Sequence, residues 1–89
     1  MNLKPIGSNQ TELTISVPGF RGDTKVLFSY ETPVAAYNLS PEWHERFGGS
    51  FIKTEKRWSV TTSRHVNQWL QGAKAHACEQ IVLDNLTGI

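Results

Sequence analysis

Strict alternation of apolar and polar positions organises the first half of the chain. In residues 11–17, Leu13, Ile15 and Val17 face one way while Glu12, Thr14 and Ser16 face the other, which predicts a half-buried strand. Residues 18–23, with a proline and two glycines, supply turn chemistry. Residues 24–30 alternate again, with Val26, Phe28 and Tyr30 on one face and Lys25 and Ser29 flanking Leu27 on the other. A hairpin is the simplest pairing of these two strands. After a break at residues 31–33, residues 34–37 resume as a short strand, and Pro33 suits the first position of an edge strand.

The pattern then changes. Residues 38–49 read as an insertion between strands, with Ser40 as N-cap, Pro41 at the first helical position, one turn through Arg46 and a stop at Gly48 and Gly49. Its tip is expected to be mobile. Alternation returns from Phe51 to Val60, where Ile52, Thr54, Trp58 and Val60 oppose Lys53, Glu55, Arg57 and Ser59. One long strand, or two short ones bent at Glu55 and Lys56, satisfies that pattern. Thr61, Thr62 and Ser63 are N-cap candidates for a helix whose apolar stripe is Val66, Trp69, Leu70 and Ala73, with Gly72 as its stop. A last helix over about residues 78–86 has Ile81, Val82 and Leu86 to bury. The expected architecture is a single α+β domain over residues 1–89. It comprises an antiparallel sheet of about four to five strands with the C-terminal helices packed on one face.

Composition narrows the function classes. The 89 residues carry nine Lys plus Arg and eight Asp plus Glu, a net charge of +1, so any anion site must be local. The single cysteine, Cys78, excludes an internal disulfide framework and fits a reducing compartment. No run approaches a membrane span, and the start of the chain lacks the apolar stretch of a signal peptide. The protein therefore reads as soluble and intracellular, with no membrane partner.

Two blocks resemble a known family. Residues 27–35 (Leu-Phe-Ser-Tyr-Glu-Thr-Pro-Val-Ala) and 58–70 (Trp-Ser-Val-Thr-Thr-Ser-Arg-His-Val-Asn-Gln-Trp-Leu) look like small uncharacterised proteins encoded by tailed bacteriophages and prophages. Residues 6–13 are similar to that family's start. The resemblance implies a viral origin and a location in the host cytoplasm. It also implies that residues 38–49 are an addition and that the turn at residues 18–23 is longer than usual. It transfers no activity and no functional residue.

Chemistry concentrates at the approach to the helix. Lys53, Lys56, Arg57 and Arg64, with Thr62, Ser63 and the N–H groups of a helix start, could hold a phosphate. Lys53 and Arg57 share a strand face and Lys56 lies on the other, so only a bend gathers them. The same hydroxyls are equally suited to capping the helix alone, beside a solvated basic face. Trp58 and Trp69 fall on apolar faces and are expected to point inward, whereas Trp43 lies in the insertion either as an exposed anchor or folded back to cover the sheet edge. His44, His65, His76 and Cys78 match no zinc spacing, His65 is expected to bond locally or pack beside Trp69, and no paired carboxylates or nucleophile–base set is visible. No cofactor, metal or catalysis is expected. Two functions remain. One is a phage accessory protein, an adaptor or inhibitor that binds a host or phage protein through Leu39, Trp43, His44 and Phe47. The other is a nucleic-acid-binding module using the basic corner. Self-association through an uncovered sheet edge is open to either.

Overall fold

A computed structural model describes residues 2–88 of the chain. Its elements are β1 (Asn2–Gly7), β2 (Gln10–Ile15), β3 (Thr24–Ser29), β4 (Thr32–Tyr37), α1 (Pro41–Phe47), β5 (Phe51–Thr54), α2 (Val60–Leu70), β6 (His76–Cys78) and α3 (Gln80–Thr87). The strands form one six-stranded sheet in sequence order. Pairing is antiparallel from β1 to β5 and parallel between β5 and β6, so the sheet is mixed. The fold is α+β, and the expected β2–β3 hairpin forms with Leu13 opposite Val26.

The helices occupy both faces of the sheet, which corrects the expectation of one covered face. Leu13, Val26, Ala36 and Ile52 meet Trp43 of α1 and Leu83 of α3 on one side. Leu27, Val34 and Ala35 meet Val66 and Leu70 of α2 on the other. Adjacent strand residues point to opposite faces, so Val26 and Leu27 can both be fully buried only between two helical layers. A register shift between Leu27 and Phe28 leaves Val34 as the extra residue of a bulge. The bulge aims Val34 and Ala35 alike at α2.

Three further expectations change. Ser40 caps α1 with Pro41 as its first residue and Gly48 as its left-handed C-cap, as read, yet α1 is a core element rather than a loose insertion. Trp43 has no exposed surface. Its indole N–H donates to Ser50 O at 3.0 Å, and its ring meets Phe20 edge-on at 5.2 Å. The alternation from Phe51 to Val60 supports only a four-residue strand, because Thr54 Oγ1 accepts from Lys56 N at 3.1 Å and turns the chain out of the sheet. Cys78 lies in β6, and the last helix starts two residues later.

Candidate functional site

The basic corner is built by that turn. Lys53 sits opposite Ala35 on one side and Ala77 on the other, which places it on the sheet face that carries α2. Glu55 N donates to Cys78 O at 2.8 Å, marking the last sheet-like bond before the chain swings out. The chain returns at Ser59, whose extended backbone (φ −165°, ψ 167°) and Oγ cap α2 by accepting from Thr62 N at 3.0 Å. The helix therefore starts two residues earlier than the run of hydroxyls at residues 61–63 suggests.

The result is a cleft of about 370 Å³ lined by Lys53, Lys56, Arg57, Trp58, Thr62 and Ser63, with Glu55 also on its wall. The bend thus brings together cations that a straight strand would divide. Arg64 is exposed on α2 but does not line the cleft. Among the described residues the one ion pair is Arg21–Glu42 at 3.4 Å, so the cations of the corner carry no carboxylate partner.

Trp58 is 43% exposed, contrary to the expectation that it points inward. Lys56 Nζ lies 4.1 Å from its ring centroid, and its indole N–H donates to Gln80 Oε1 at 3.1 Å. Gln80 is itself anchored, donating from Nε2 to Pro33 O at 2.7 Å and to Asp84 Oδ1 at 3.1 Å. Trp69 is half-buried: its N–H donates to Glu12 Oε1 at 2.9 Å and its ring meets Phe51 edge-on.

Behind the corner lies a group that the sequence did not disclose. Ser29 Oγ is 2.8 Å from His65 Nδ1 and 3.0 Å from Thr62 Oγ1, and Thr62 Oγ1 accepts from Ser59 Oγ at 3.2 Å. His65 thus bonds across to β3, rather than locally, and lies beside Tyr30. The available signal was spacing: Thr62 and His65 extend the stripe of Val66 and Trp69 at helical intervals. Tyr30, expected on the apolar face, instead starts the β3–β4 hairpin with φ 58° and is 53% exposed.

The candidate protein interface does not assemble as expected. Leu39 is 73% exposed and His44 is exposed, but Trp43 is in the core and unavailable to a partner. Phe47 is half-buried and lines a groove of about 790 Å³ with Phe20, Val82 and Leu86. No cluster of three metal-ligating side chains occurs among the described residues. Burial, with Glu55 adding to it, pushes the Cys78 thiol up to about 11. No helix among the described residues is long and apolar enough to cross a membrane.

No curated protein and no solved structure is significantly similar to this chain. A family model matches residues 1–85, nearly the whole of the sheet and its helices, and the chain belongs to that family, one of unknown function (DUF8033).

Proposed function

We propose that the domain is a nucleic-acid-binding module whose contact surface is the strand-to-helix corner. The observation that carries this reading is the gathering of Lys53, Lys56 and Arg57, three cations against the single carboxylate of Glu55 and none of them in a salt bridge among the described residues, around one cleft with an exposed tryptophan. Cations in this arrangement hold phosphates, while a fixed aromatic offers a stacking face that any base accepts. A near-neutral domain binds this way only through a local patch. The setting implied by the phage-family resemblance is the host cytoplasm.

Fluorescence anisotropy with a labelled oligonucleotide tests the reading. Three phosphate contacts on a single strand give a salt slope of about −2, or roughly a fifteen-fold loss of affinity between about 50 and 200 mM salt. Reversing Lys56 and Arg57 to Glu together should abolish binding and leave the melting temperature unchanged. Absence of binding to any nucleic acid at low ionic strength defeats the proposal.

A second reading, a protein-binding adaptor or inhibitor, is supported by the groove of Phe20, Phe47, Val82 and Leu86. Glu42 lines the same groove, and its Oε2 is buried without a hydrogen-bond partner. A partner carrying a donor beside an apolar side chain would satisfy both. Phe47→Asp should then abolish capture of that partner while leaving oligonucleotide binding intact.

A further inference from the structure

We propose that the pocket between Tyr30 and Trp58 receives one unstacked base of a single-stranded nucleic acid, the strand's phosphates lying in the adjoining basic cleft. This rests on the nucleic-acid reading above and narrows its substrate to single strands. The pocket measures about 200 Å³ and shares Trp58 and Thr62 with the cleft, so one ligand can occupy both. It is smaller than the roughly 300 Å³ at which sites for drug-sized ligands begin, and suits a single ring system. A base held in a duplex stack cannot enter it.

Three features of the pocket point to a planar, polar-edged occupant. First, Tyr30 stands at a hairpin position with φ 58°, which glycine takes freely and an aromatic residue takes at a cost. Its N–H donates to Asn9 O at 2.7 Å, which fixes the backbone there. Strain of this kind is retained where a side chain is needed in one place.

Second, Trp58 is tethered by its bond to Gln80, itself held by Pro33 O and Asp84, which lessens the ordering left for the ligand to impose. Third, the hydroxyls of Ser29, Ser59 and Thr62 line the pocket in a connected chain that ends on His65 Nδ1. Ser29 and Thr62 are buried within that chain, and Ser59 is the exposed member, so its Oγ is the hydroxyl that meets the edge of a base. The two aromatics supply stacking surface and Ser59 supplies a polar contact at its edge. That combination binds single strands with little sequence preference.

The test uses the full chain with three probes: a labelled oligo(dT) single strand, the matching dA·dT duplex, and thymidine monophosphate followed by tryptophan quenching. The single strand should bind at least tenfold more tightly than the duplex and quench Trp58. Trp58→Ala and Tyr30→Gly should each weaken it by about 5- to 150-fold while keeping the salt slope of the wild type. Tyr30→Gly relieves the positive φ, so its melting temperature should not fall and lost binding cannot be blamed on misfolding. If both variants bind as wild type while the Lys56 and Arg57 reversals still abolish binding, the phosphate surface stands and the pocket is refuted. Equal affinity for the duplex also refutes it. Monophosphate binding as tight as the oligonucleotide would make the occupant a free nucleotide and overturn the strand assignment. Failure of the wild type to bind any of the probes removes both proposals together.

Discussion

The three tryptophans illustrate how position, not residue type, sets what a side chain does. Trp43 is enclosed by the sheet, Phe20 and Phe47, so Trp43→Ala should cost about 3–5 kcal/mol in urea denaturation. That is a large part of the roughly 5–8 kcal/mol expected of a domain this size. Trp58→Ala removes an exposed ring with one cation contact and one hydrogen bond, and should cost about 1 kcal/mol or less in the same assay. Cys78 makes a prediction in pH. Its thiol is raised from 9.0 to about 11, so at pH 8 the folded protein holds about a hundredfold less thiolate than the unfolded chain. Iodoacetamide should therefore modify native Cys78 slowly, at a rate that keeps rising tenfold per pH unit past pH 9. Levelling off near pH 9 would show an ordinary, solvated thiol.

At the scale of the element, α2 depends on a cap that lies outside the obvious run of hydroxyls. Ser59→Ala should lower stability by about 1 kcal/mol, because Thr62 N loses its acceptor. Thr61→Ala and Ser63→Ala, at exposed helical positions, should change the urea midpoint little. This helix was legible through the stripe of Val66, Trp69 and Leu70, whereas its start was not, since Thr61, Thr62 and Ser63 offer caps as well as Ser59 does. The α1 helix was legible at both ends because Ser40, Pro41 and Gly48 each act locally. Two strands escaped notice for opposite reasons. Every described residue of β1 up to Gly7 is exposed, so it has no buried face to set a period, and β6 is only three residues long. The candidate site was half legible. The cations could be named from the chain, but the bend that assembles them hangs on one bond between Thr54 and Lys56, and Tyr30 joins through tertiary placement alone.

For the whole molecule, two-sided coverage follows from a run that alternation does not describe. Pro33, Val34, Ala35 and Ala36 are buried in succession, as in a strand enclosed on both faces. The polar residues Lys25 and Ser29 beside Leu27 hid this, because Ser29 is buried through bonds to α2. Coverage by α3 is then essential to one face. Truncation after Glu79 removes Leu83, which is fully buried, and should abolish the cooperative thermal transition and raise binding of a hydrophobic dye. A truncated chain that still melts sharply would show that α1 alone suffices.

The borders of the sheet have a consequence for crowded solutions. One border is β1, where Pro5 has no amide hydrogen to offer a newcomer, and the other is the three-residue β6. The first rim is interrupted by that proline and the second is short, so neither offers an unbroken template for a neighbouring molecule to extend. Concentrated samples should accordingly remain clear and free of fibrils, where a sheet with a long, flat, fully donating rim would gel.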